Sequence, residues 1–124
     1  MIQKFEDLRI WQDARQICAS VFKLTEKEPF SRDFSLKDQI RRSSGSVMDN
    51  IVEGFGRDGN KEFKQYLAIS KASLNEVKSQ LYRALDFSYI SKEEFDSIYQ
   101  ECDKLAAGIG KLMYYVKDSK FKGS

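Results

Sequence analysis

Asp49, Glu53 and Glu76 are the side chains whose type and grouping could do acid–base chemistry, since two carboxyls held in different protonation states can serve as general acid and base. Their spacing supplies no nucleophile and implies no cleft between them. The chain contains no histidine. That removes Ser–His and Cys–His nucleophile activation, His-liganded zinc, and the one side chain that ordinarily titrates near neutrality. Carboxylate-bridged metal centres in helical bundles draw on inward glutamates with Glu-x-x-His pairs, and the expected core positions hold neither. Cys18 and Cys102 fall on apolar stripes with no metal-ligand spacing, so they read as small buried hydrophobes. The expectation is a chain with no catalytic residue, metal, cofactor or small-molecule substrate, and hence not an enzyme.

The other chemistry within reach is neutralisation of phosphate. Lys37, Arg41 and Arg42 fall together, and Arg57, Lys61 and Lys64 surround a glycine-rich break. Lys117, Lys120 and Lys122 make the end of the chain basic as well. Such residues bind nucleic acid in a salt-dependent, weakly sequence-selective way. Asp38, Asp49, Asp58 and Glu62 interleave with them, and the net charge of +2 from 21 basic and 19 acidic residues is that of a balanced surface. A weak patch of this kind needs several copies to reach useful avidity.

The elements that must position these groups follow from an apolar ladder. Phe63, Leu67, Ser70, Leu74, Val77, Leu81, Ala84 and Ser88 recur in steps of four and three, and the pattern resumes through Phe95, Ile98, Cys102, Leu105, Ile109, Leu112 and Val116. Each run makes one stripe on a helix that must be buried, and two such helices joined by a few residues pack antiparallel. Ahead of them, Leu36, Ile40, Val47 and Ile51 form the stripe of a second helix, opened by Ser35 and Asp38 as a capping box and closed by Gly54, Gly56 and Gly59. The first helix carries two adjacent stripes, Leu8–Trp11–Cys18–Phe22–Thr25 and Ile10–Ala14–Ile17–Val21–Leu24. Asp58 or Asn60 is expected to cap the third helix, and Ser91 with Glu94 the fourth. The spacing therefore predicts an all-α, antiparallel up-down-up-down four-helix bundle. It is a single domain over 1–124, with helices over about 7–26, 36–54, 60–87 and 92–117 and a flexible tail over 118–124. The charged opening residues do not form a signal peptide and no window reaches membrane-spanning length, so the expected location is the cytoplasm.

Two borders of the bundle remain. Arg42, Ser46, Asp49, Glu53 and Arg57 form a polar ridge on the second helix, in which Glu53 and Arg57 can pair across one turn. Asn50 sits at the margin of the buried face, and Ser73, Glu76 and Gln80 flank the stripe of the third helix. On the opposite flank, Gly45, Met48 and Val52 add apolar surface beyond one core, which suggests a self-association interface. Gly45, Gly108 and Gly110 inside helices suggest close backbone approach.

Three segments carry a resemblance: Phe5–Trp11 (Phe-Glu-Asp-Leu-Arg-Ile-Trp), Gln39–Gly54 with its Arg41-Arg42 pair and Asn50-Ile-Val-Glu53-Gly54, and Ser73-Leu-Asn-Glu76. Together they resemble the bacterial four-helix-bundle proteins encoded by intervening sequences within 23S ribosomal RNA genes, over nearly the whole chain. The resemblance implies a left-handed bundle assembled as a homopentamer, with Asn50, Glu53, Gly54, Ser73 and Glu76 as the family's polar positions. It also implies kinship with the accessory proteins of diversity-generating retroelements, which bind nucleic acid and a reverse transcriptase. No defined activity comes with it. The expected function is a non-enzymatic homo-oligomer contacting RNA or another nucleic acid through a basic surface; the alternative is a protein–protein adaptor.

Overall fold

The computed structural model describes the chain from Ile2 to Asp118, so the predicted tail falls outside the described residues except for Asp118, which closes the last helix. Four helices form, α1 Arg9–Glu26, α2 Phe34–Phe55, α3 Asn60–Asp86 and α4 Lys92–Asp118, with short 3-10 turns at Phe5–Asp7 and Phe30–Arg32. No strand occurs among the described residues. Each helix packs on its neighbours in the chain and α1 closes against α4, which gives the expected up-down-up-down bundle; α2 and α3 share the most extensive seam.

The ladder is the core. Phe63, Leu67, Leu74, Val77 and Leu81 of α3 and Cys102, Leu105 and Ile109 of α4 are fully buried against Ile17, Val21, Ile40, Val47 and Ile51. Ser70, a polar residue at a ladder position, donates its hydroxyl to the Val47 carbonyl at 2.8 Å, so its burial leaves no orphan. Ser88 lies past the end of α3, exposed and at φ 62°, where the helix closes with a Tyr89 N–H to Ala84 carbonyl bond of 2.8 Å.

Helix punctuation departs from the sequence reading at two starts. Asp33, not Ser35, caps α2: its carboxylate accepts from the Leu36 N–H at 3.1 Å and from the Tyr89 hydroxyl at 2.9 Å, so the helix begins two residues early. Neither Asp58 nor Asn60 caps α3; the chain enters through Gly59 at φ 87°, a left-handed turn suited to glycine. The Ser91–Glu94 capping box forms as expected, with Ser91 N–H to Glu94 Oε1 at 2.9 Å and Glu94 N–H to Ser91 Oγ at 3.1 Å. In α1 the Ile10–Leu24 stripe is buried, whereas of the neighbouring stripe Phe22 stands 52% exposed.

Candidate nucleic-acid interface and the polar seam beside it

Successive residues on a helix point about 100° apart, so the six basic side chains do not make one patch. Arg41 turns toward α1, where it bonds Thr25 Oγ1 at 2.8 Å and Glu26 at 2.8 Å and lies 4.4 Å over the Phe22 ring. Arg42 turns outward and pairs with Asp38 at 2.9 Å. Arg57 turns toward α3, pairing with Glu53 and reaching the Tyr66 hydroxyl, both at 2.9 Å. Tyr66 first, and Glu53 second, hold the Arg57 guanidinium more firmly protonated than an ordinary arginine. Lys37 lies 5.1 Å over the Phe34 ring, and neither it nor Lys61 or Lys64 has an ion-pair partner among the described residues. The predicted Glu53–Arg57 pair is thus present, and it occupies one of the arginines assigned to phosphate.

Of the polar positions that the resemblance implies, Asn50, Gly54, Ser73 and Glu76 lie on the α2–α3 seam, while Glu53 is exposed and paired with Arg57. Ser46 and Ser73 share a hydrogen bond of 2.9 Å, and Asn50 Nδ2 donates to the Ser46 carbonyl at 2.8 Å and to Ser46 Oγ at 2.9 Å. One turn along, Ser43 donates to Glu76 at 3.4 Å. Gly54 ends the seam. A Cβ there would come 2.6 Å from Tyr66 Cβ and 3.1 Å from Phe63 Cδ1, so its side-chain-free surface lets α2 and α3 cross. Asp49 stays exposed, its charge felt by Cys18 of α1.

Gly45, Met48 and Val52 are half-buried on α2, with Met48 packed on the core. The close backbone approach expected of the helical glycines holds only at Gly108, whose added Cβ would meet Ile10 at 3.2 Å; Gly45 and Gly110 have nothing within 4 Å.

Sequence reading missed two features. An open cleft of about 760 Å³ lies between the start of α1 and the end of α4, with Leu8, Ile10, Gly108 and Leu112 on its walls and Lys104 and Lys111 at its edge. Between α1 and α4, Glu101 Oε1 is buried without a hydrogen-bond partner, and desolvation, followed by the charge of Asp13, raises its carboxyl above the usual range. Burial pushes the Cys102 thiol up to about 12 and also raises Cys18, whose Sγ donates to the Ser44 carbonyl at 3.2 Å. Among the described residues no group of three or more His, Cys, Asp or Glu could hold a metal ion, and no helix is long and apolar enough to cross a membrane.

The solved structure of a protein with unknown function from the S23 ribosomal protein family of Bacteroides thetaiotaomicron VPI-5482 has a similar fold. Its TM-score is 0.77 at 20% identity, covering 84% of this chain and 97% of that one. No curated protein matches. The 23S rRNA-intervening sequence protein family matches residues 6–111, a span that takes in all three segments of the resemblance apart from its first residue. Neither description names an enzymatic activity. On that match over most of its length, the chain belongs to the 23S rRNA-intervening sequence protein family.

Proposed function

We propose that the chain is a non-enzymatic, self-associating helical bundle that works in the cytoplasm and contacts RNA through basic side chains left open on its surface. The observation that carries this reading is the state of the charges. Lys37, Lys61 and Lys64 remain without carboxylate partners among the described residues; Asp38, beside Lys37, is engaged by Arg42, and Glu53 by Arg57, whereas Asp58 and Glu62 next to Lys61 offset part of that charge. Lysines in that state can exchange their counterions for phosphates, which a fully paired surface cannot do. The kinship implied by the resemblance, with accessory proteins that bind nucleic acid, supports a nucleic acid as the partner. Three lysines give weak binding, so repeated copies would supply avidity, and the homopentamer implied by the resemblance meets that need. The open apolar cleft between α1 and α4 supports self-association, since apolar surface of this kind is usually covered.

The test pairs light scattering with fluorescence anisotropy on a labelled structured RNA across salt concentrations. An oligomeric mass, affinity falling linearly in log salt, and weaker binding after Lys37, Lys61 and Lys64 are changed to alanine are expected. A monomer, or no binding at low salt, overturns the reading. The same cleft favours a second reading, a protein adaptor, which a pull-down returning a stoichiometric protein and no nucleic acid would support.

A further inference from the structure

Cations sit over aromatic rings on three parts of the described molecule, and their ion pairing separates them. On the α3–α4 face, Lys78 covers Tyr99 and Lys92 covers Phe95, but each lysine is also paired, with Asp103 and Asp96. These rings contact each other and Tyr82, with centroids 4.8–5.6 Å apart, so the cluster is largely self-satisfied. At the α2–α3 end, Arg57 over Tyr66 is held by Glu53.

The α1–α2 seam differs. Arg15 lies 5.8 Å over Trp11, Arg41 lies 4.4 Å over Phe22, and Lys37 lies 5.1 Å over Phe34. Arg15 and Lys37 have no carboxylate partner among the described residues, and Arg41 has one, Glu26, which is itself exposed. Two of the three rings are open to solvent, Phe22 at 52% and Phe34 at 71%. At about 1.5 Å per residue, Trp11 and Phe22 are roughly 16 Å apart along α1, and Phe34 is roughly 10 Å along α2 from Arg41. Rings and cations therefore follow one another along the α1–α2 side, and exposed rings can be stacked on only by bases freed from a duplex.

Resting on the RNA reading above, we propose that this seam is a docking platform for unpaired RNA, in which Phe22 and Phe34 receive splayed bases and Arg15 and Lys37, the cations without a carboxylate partner, hold the intervening phosphates. Base stacking on aromatic side chains tolerates any sequence because every base has a π-face, and it requires bases freed from a duplex. Phe22 stays 52% exposed with the Arg41 guanidinium over it, which adds a cation–π attraction.

The test is anisotropy with the full chain, using a labelled, unstructured RNA of about a dozen nucleotides and a blunt RNA duplex of equal length. The proposal expects the single strand to bind at least about tenfold tighter than the duplex. Replacing Phe22 and Phe34 by leucine, which keeps apolar volume and removes the rings, should weaken the single strand by about tenfold or more and leave the salt slope unchanged. Replacing Arg15 and Lys37 by glutamine should lower that slope by about 1.4. Tyr82→Leu should leave binding unchanged, and circular dichroism checks that every variant folds. Equal binding of single strand and duplex, or full affinity in the leucine variant, overturns this inference while the RNA reading stands. Absence of binding by the unmodified chain to either RNA overturns both.

Discussion

The hydroxyls of Ser46 and Ser73 meet at 2.9 Å across the α2–α3 seam, and Asn50 donates to the same Ser46 oxygen at 2.9 Å. Three side chains from two helices thus share one small polar chain beside the core. Ser73→Ala removes a member of it at a buried position and is expected to cost about 1 kcal/mol. A double-mutant cycle with Asn50→Ala, followed by urea denaturation, should give a coupling of about 0.5 kcal/mol or more. Strict additivity would mean that the three groups act independently.

Gly54 and Gly45 make opposite predictions. Alanine gains about 1 kcal/mol of helix propensity over glycine at either position. At Gly54 the new methyl would have to displace Tyr66 Cβ, 2.6 Å away, and part α2 from α3, so overpacking should outweigh that gain and leave a net loss of about 1–3 kcal/mol. At Gly45 nothing stands within 4 Å, and the substitution should stabilise the isolated subunit by up to about 1 kcal/mol. Comparison of the two urea midpoints checks both signs. Light scattering on Gly45→Ala adds a second reading: a drop in mass would show that another copy approaches this face.

Asp33 carries a pH dependence of known sign. The Leu36 N–H first, and the Tyr89 hydroxyl second, hold its carboxyl below the usual range. A carboxyl lowered by folding contributes stability above its unfolded value, and that contribution fades as pH falls through the folded one. Asp33→Asn keeps an acceptor for Leu36 without the charge, so it should lose less stability than the parent chain between neutral and acidic pH. Thermal melts across that range test it; identical profiles would contradict the assignment of Asp33 as the cap.

Glu101 runs the other way. Its carboxyl is raised, chiefly by desolvation and then by Asp13, with a Ser20 hydrogen bond and Lys104 opposing. A carboxyl raised by folding contributes stability below its unfolded value and loses it as pH climbs through the folded one. Glu101→Gln should therefore be the more stable protein at neutral pH, with the advantage shrinking toward acid. Denaturation midpoints for both proteins at several pH values decide the point, and a glutamine variant that is less stable at pH 7 would refute it.

The bundle could be read in the sequence because periodicity reports burial directly. From Phe63 to Ala84, the ladder residues are all buried, and from Phe95 to Val116 only Leu112 is left half-buried. Caps were less legible. Asp33 and Ser35 are both good N-cap types two residues apart, and the choice fell to Asp33 because Tyr89, distant in sequence, offers it a second hydrogen bond. The basic residues were legible as a list and not as a surface: Arg41 on α2 and Arg57 just past its end are turned to opposite neighbours by partners, Glu26 and Tyr66, that spacing along the sequence does not reveal. Phe22 sat on a plausible apolar stripe of α1, yet with α1 packed between α2 and α4 that side of the helix reaches past the core.

The depth of Cys102 has a practical outcome. Burial pushes the Cys102 thiol up to about 12, so little of it is thiolate near neutral pH, and the thiolate is the species that alkylating reagents and oxidants attack. Cys18 is raised as well and has its sulfur directed at a backbone carbonyl. A new cysteine placed on the outside of α2 or α4 would therefore react nearly alone, allowing a fluorophore or spin label to be attached at a chosen spot with both native sulfurs left in place.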